Sequence, residues 1–416
     1  MNEMLGRGRA VLAARRVIGL TGLVLLVAGC TFTNAGRSSD AMAPHPSGAR
    51  ASGQATPRSS TGPAGSVATY RGDAARTGAM PGPVPSGTPA VAWTFKAGAP
   101  IASAPAVVDG IVYLLGNDGV IHALSLDTGV QRWQAKLGAD ASASPLVVDG
   151  LVIVGDSTGV VHALAATDGS TRWTLATDGP ISGAAAADGE IAVVATKAGT
   201  AYAINIPTGT TRWTTVVDGP VGSSIAIADG TVYLGAGPNL IAIGLLDGRI
   251  RWTQAVSKVG RIGTPTAAGG MVYAATGLDG SDRSVYGVVA LDAATGAQRW
   301  RFVSPTQAVV YTPAVVGGRA YIVGEDRRVT ALDATNGTIL WATATKEVDG
   351  AVPAIADGLV FVAGNGGAMN ALDAGTGVIR WTVPYRGVPY GPTVVGGYVL
   401  VGTDLGMLVA IAGSAK

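Results

Sequence analysis

From residue 67 onward, apolar side chains come in short runs such as Ile111-Val112-Tyr113-Leu114-Leu115, separated by Asp-Gly or Gly-Gly pairs. Those pairs supply the positive φ angles that tight hairpins require, so the runs read as β-strands joined by short turns. The runs do not alternate cleanly between apolar and polar, which predicts strands covered on both faces, as in sheets stacked around an axis. No stretch after residue 30 sustains a helical period. Before it, Val17 to Gly29 form an uncharged, mostly apolar run of thirteen behind an Arg-bearing start. That is too short to span a bilayer, which takes about 20 residues, and it suits the core of a signal peptide over residues 1–29.

All eight tryptophans fall on a ladder: Trp93, Trp133, Trp173, Trp213, Trp252, Trp300, Trp341 and Trp381, at steps of 40, 40, 40, 39, 48, 41 and 40. A period near 40 fits helical repeats or propeller blades, and the strand pattern selects blades. Seven times an Ala is followed six residues later by Gly and ten later by Trp, as in Ala123-Gly129-Trp133 and Ala371-Gly377-Trp381. With Leu-Asp-Ala-Ala-Thr-Gly at 291–296, this pattern resembles the pyrroloquinoline-quinone-type propeller repeat over residues 90–416. The resemblance implies a docking motif in which Gly takes the turn before the fourth strand, Ala leaves room for an indole, and each Trp is a buried spacer between blades. Seven units end at Trp133 through Trp381, while residues 388–416 hold three strands and Ala90–Phe95 a fourth. The expected fold is therefore an all-β, eight-bladed propeller over residues 67–416, closed by an N-terminal strand so that no sheet edge stays open. The lead-in Tyr70-Arg71-Gly72-Asp73-Ala74-Ala75-Arg76-Thr77-Gly78 is expected to pack against the ring, with no role assigned.

Leu26-Val27-Ala28-Gly29-Cys30 resembles a bacterial lipobox, which implies cleavage before Cys30 and lipidation of its thiol. Arg15-Arg16 leaves twin-arginine export open beside the general route. Residues 30–66, rich in Ser, Gly, Ala, Pro and Thr, read as a flexible tether, in which His45 is inert. The expected location is outside the cytoplasm, held to a membrane by the lipid.

Composition narrows the chemistry. The net charge of +2 arises from Arg7, Arg9, Arg15 and Arg16 against Glu3, +3 in the first 29 residues, which leaves −1 for the rest. A nucleic-acid partner would need a basic face. One Cys allows neither an intrachain disulfide nor a Cys-based zinc site. Quinone enzymes with this repeat hold their cofactor between a Trp and a vicinal disulfide, beside a Ca²⁺ bound by Glu, Asn and Asp. Here no second Cys exists and every Trp is assigned to blade docking, so neither cofactor, metal nor catalytic residue is expected. His122 and His162 share one repeat position with Tyr202, Ile241, Val289, Thr330, Asn370 and Val409, which marks a packing site. Asp127, Asp168, Asp292, Asp333 and Asp373 lie beside turns, where carboxylates cap backbone amides.

The loops on one face are uneven. Blades one to four carry plain loops, while blades five to eight carry Arg261, Tyr311, Glu347, Asp349, Tyr385, Arg386 and Tyr390. Their hairpins add Glu325, Asp326, Arg327, Arg328, Asp404 and an insertion containing Asp279, Asp282 and Arg283. Arg and Tyr on rigid loops are frequent protein-binding anchors. The candidate binding face is thus Arg261, Asp279, Asp282, Arg283, Tyr311, Arg327, Arg328, Tyr385, Arg386 and Tyr390. Anchor and architecture together resemble propeller lipoproteins of envelope protein assembly, which implies a monomeric, non-catalytic scaffold for a protein partner. The alternative is a small-ligand sensor using the central channel near Ser103, Ser144, Ser224 and Tyr311.

Overall fold

The structure is a computed structural model that describes residues 65–257, 260–277, 286–346 and 352–414. The signal peptide, Cys30, the tether as far as residue 64 and the insertion with Asp279, Asp282 and Arg283 lie outside the described residues, as do Glu347 and Asp349. Thirty-two strands, β1 to β32 in chain order, form eight four-stranded antiparallel sheets, with no helix among the described residues. The first blade is β2 (Ala106–Val108), β3 (Ile111–Leu115), β4 (Val120–Ser125) and β5 (Gln131–Lys136), and six more follow the same order. In the eighth, β30 (Thr393–Val395), β31 (Tyr398–Gly402) and β32 (Met407–Gly413) are completed by β1 (Pro89–Lys96), paired antiparallel to β32. The ring is closed by its two ends, as the leftover Trp93 predicts.

The Asp-Gly and Gly-Gly turns between first and second strands behave as their composition requires. Asp109 and Gly110 have φ of 51° and 71°, and Gly317 and Gly318 have 58° and 74°. Each inner strand is buried on both faces, which explains the unalternating runs; Val112, Leu114 and Leu115 of β3 are all 0% exposed.

The docking motif refines the expectation. Each motif Gly has positive φ and also underlies the indole of the preceding blade: a Cβ on Gly209 would stand 2.6 Å from Trp173, and one on Gly377 2.5 Å from Trp341. Each motif Ala is instead the cross-strand partner of its own blade's Trp, as in Ala123 opposite Trp133, next to a bulge that recurs in all seven motif blades. The indoles sit on the outermost strands, so seven are half-buried and only Trp300 is buried, a correction to the buried-spacer expectation. Seven indole N–H groups donate to a carbonyl of the next blade, at 2.7–3.1 Å, from Trp93 to Leu126 through Trp341 to Ala374. In four blades a buried Tyr hydroxyl donates to the same carbonyl: Tyr113 to Ala166, Tyr233 to Ala293, Tyr273 to Ala334 and Tyr321 to Ala374. A carbonyl oxygen has two lone pairs, so one acceptor holds both prongs.

The lead-in does more than pack. Residues 67–83 visit every blade once around the axis. Val67 exchanges two backbone hydrogen bonds with Val107, and the carbonyls of Ala68, Ala74, Ala75, Thr77 and Gly78 accept from Val147, Ile227, Ala267, Val315 and Ile355. Thr69 reaches Ala185 in the third blade, and Gly82 and Pro83 accept from Gly396 and Gly397 in the eighth. The innermost strand of a blade has a bare inner edge, and this segment supplies the missing partners.

Candidate functional site

Two buried arginines pin the lead-in. Arg76, 0% exposed, donates from Nε to Ile225 O at 2.8 Å, from Nη1 to the Thr69 hydroxyl and Tyr70 carbonyl at 2.6 and 2.7 Å, and from Nη2 to the Ala184 and Ala185 carbonyls at 3.3 and 2.5 Å. Arg71, 3% exposed, donates to the carbonyls of Arg76, Thr312 and Pro313. Burial lowers both guanidiniums from their ordinary value, Arg76 to about 10, although the nearby Asp73 charge opposes the shift.

Above them the axis opens as a funnel floored by Tyr70, whose ring centroid lies 5.8 Å from the Arg76 guanidinium carbon. Tyr70 lines two adjoining cavities. One, of about 170 Å³, is bordered by Ser142, Ser144, Ser182, Ser224 and Tyr390; the other, of about 270 Å³, by Gly222, Ser223, Arg261, Thr264 and Tyr311. The hydroxyls of Ser144, Ser224 and Thr264 accept backbone N–H groups of Ala104, Ala184 and Ser224, each from the preceding blade. Buried hydroxyls of Ser182 and Ser223 have no protein partner.

Of the candidate face, Arg261, Tyr311 and Tyr390 are thus brought together around the funnel. The Tyr311 hydroxyl donates to Glu325 at 3.0 Å, and Arg261 and Tyr390 are exposed. The remaining described residues lie apart from it. Tyr385 turns back to donate to Gly364 O at 3.0 Å, Arg327 donates to Lys346 O at 3.4 Å, Arg328 borders a separate cavity beside Phe302 and Asp326, and Arg386 is simply exposed. Of the channel residues named for a small ligand, Ser103 is turned away, donating to Leu115 O at 3.2 Å, whereas Ser144, Ser224 and Tyr311 do border the funnel. Tyr70 and the two arginines were missed as site residues. Their signal was the pair of arginines five apart in a segment that otherwise carries no large apolar run.

The histidines and turn acids are structural in their contacts. His122 is 3% exposed, with Nδ1 2.9 Å from Gln131 Oε1 and its ring edge-on to Phe95. His162 Nε2 lies 2.8 Å from Asp156. Burial alone would raise the Asp156 carboxyl, but hydrogen bonds from His162, Val160 and Thr158 bring it below its ordinary value. Asp292, Asp333, Asp373 and Asp168 cap turn amides as expected, while Asp127 sits at a different turn position and offers its carbonyl to Tyr398. Among the described residues, no three His, Cys, Asp or Glu side chains cluster as a metal site.

Solved structures share this ring. BamB from Moraxella catarrhalis aligns over 79% of this chain and 99% of its own, at 19% identity and a TM-score of 0.64. Quinohemoprotein alcohol dehydrogenase from Comamonas testosteroni aligns over 85% and 81%, at 14% identity and a TM-score of 0.64. At such identities the likeness carries the fold alone. A serine/threonine-protein kinase, AfsK of Streptomyces griseus, is 34% identical over 131 residues, which is 29% of this chain and 15% of the kinase. The chain therefore spans a small part of that kinase's length. A family profile matches at residues 85–224, 157–276, 198–310 and 286–415. Since these matches run through all eight blades, the chain belongs to the family described as outer membrane protein assembly factor BamB.

Proposed function

We propose that the protein is a lipoprotein anchored through Cys30, facing outside the cytoplasm, whose propeller is a monomeric, non-catalytic scaffold for a protein partner in envelope protein assembly. The observation that carries this reading is the family match along the whole ring, joined to a rigid face that gathers Arg261, Tyr311 and Tyr390 around one opening. Exposed aromatic and Arg side chains on a rigid rim suit a protein interface. The described lining of the funnel does not fit a quinone with a divalent cation. It holds no carboxylate to bind the cation, and the indoles sit on the outermost strands instead of the axis. A second reading, a small ligand in the channel, is favoured by the funnel cavities themselves.

In-cell crosslinking of the anchored protein, followed by capture and mass spectrometry, tests the scaffold. The comparison strain carries Arg261, Tyr311, Tyr385, Arg386 and Tyr390 all as Ala, with folding checked by thermal melt. A partner captured by the wild type and lost in the folded variant is expected; a set of captured proteins identical in both strains would sink the assignment of this face.

A further inference from the structure

We propose that the funnel binds a carboxylate, with Arg261 as its direct cationic partner and the buried Arg71 and Arg76 supplying the field beneath it. Two full guanidinium charges lie under the floor, and every protein group they bond is a neutral carbonyl or hydroxyl. Asp73 is the carboxylate that opposes both, and its two oxygens are engaged by the Thr77 amide and hydroxyl. The floor therefore carries an excess of positive charge in a poorly solvated setting, where a field is weakly screened and focused up the open end of the channel.

The wall adds to that field. Arg261 is exposed beside Gly222, whose missing side chain leaves the guanidinium uncovered; a Cβ there would meet only Arg261 Nη1, at 3.8 Å. No carboxylate is found among the described residues that line either cavity. Glu325 is not among the residues lining either cavity, and its carboxylate is engaged by the Tyr311 hydroxyl at 3.0 Å. Around Arg261 stand donors that suit a carboxylate's in-plane lone pairs, the hydroxyls of Thr264 and Tyr70, and an Arg fork can meet both oxygens at once.

Size limits the ligand. Cavities of about 270 and 170 Å³ fall below the ~300–1,000 Å³ usual for drug-sized molecules. They fit a small free acid or the single acidic side chain of a docked polypeptide. The proposal goes beyond the scaffold reading and stands whether or not a protein delivers the group.

The test uses the full chain in detergent at fixed ionic strength. Thermal melts and calorimetric titrations are run with succinate, with N-acetyl-aspartate methylamide as the side-chain mimic, and with the neutral N-acetyl-asparagine methylamide. Both acids are expected to raise the melting midpoint and the neutral amide to leave it unchanged. Arg261→Gln, a change at an exposed position that spares the core, is expected to weaken acid binding at least tenfold, and Arg261→Lys to restore part of it. A stronger response to succinate assigns the site to a free acid, and a stronger one to the aspartate mimic assigns it to a docked chain. Equal acid responses in wild type and Arg261→Gln, or none in a folded wild type, would overturn the proposal.

Discussion

At the scale of single residues, glycine in the docking motif answers two demands at once, and they are separable. Gly230 has φ of +68° and nothing within 4 Å of a Cβ, so alanine there meets backbone strain alone. Gly209 has φ of +71° and the Trp173 ring 2.6 Å away. Gly230→Ala should cost about 1–2 kcal/mol, and Gly209→Ala about 1–3 kcal/mol more for the displaced indole. Urea melts of the two variants read the difference; equal losses would mean that the indole yields freely. The spacing made the glycine visible, but spacing alone does not say which blade's Trp it serves. The second prong, Tyr113 and its equivalents, was hidden for another reason. It recurs in four blades only, and Ile153, Val193, Phe361 and Leu400 fill the same place elsewhere, so the pattern reads as generic apolar strand.

Among elements, β1 and the lead-in carry the unusual burden. β1 caps β32 with seven paired positions, and its Trp93 donates to Leu126 of the first blade at 2.9 Å. A chain lacking residues 89–96 exposes the β32 edge, and open edges recruit further strands. Size-exclusion chromatography is expected to show self-association of that variant, whereas a stable monomer would mean that another segment covers the edge. Closure was legible, because eight tryptophans with seven motifs leave one strand over. The lead-in was not, since its hydrogen bonds are mostly backbone ones and carry no residue-type signature. Arg76 is the exception. Arg76→Ala leaves the carbonyls of Tyr70 and Ile225 without this donor, while Ala184 and Ala185 keep only bonds of 3.4 Å from the Ile225 amide and the Thr69 hydroxyl. Each unsatisfied group costs about 1–3 kcal/mol, so the variant should lose at least about 2 kcal/mol in a denaturant melt. A loss under about 1 kcal/mol would show that water replaces the guanidinium.

For the whole molecule, acid is the natural probe of the turns. Arg299 holds the Asp292 carboxyl at about 2, and Arg380 does the same for Asp373, against an ordinary value of 3.8. A depressed carboxylate contributes stability that is fully present above its unfolded value and is lost as pH falls through the folded one. The melting midpoint should therefore hold above about pH 4 and decline toward pH 2. Asp292→Asn with Asp373→Asn should start lower at neutral pH and decline less; parallel curves would show that these pairs contribute nothing. Family and ring were legible because the repeat is written in residue types. The funnel's charge was not, since it depends on which arginines the ring buries.

The axial segment also has a consequence in time. Its partners stretch from Val107 to Gly397, so Gly82 and Gly396 meet across 314 positions of chain. Contacts so remote in sequence form late, after the intervening loop has been closed. The earliest part of the propeller to be synthesised is thus among the last to find its place. Until residue 397 exists, the lead-in lacks its partners in the eighth blade and the ring stays unlocked, and a chain held open in this way is one that can still be threaded elsewhere before it sets.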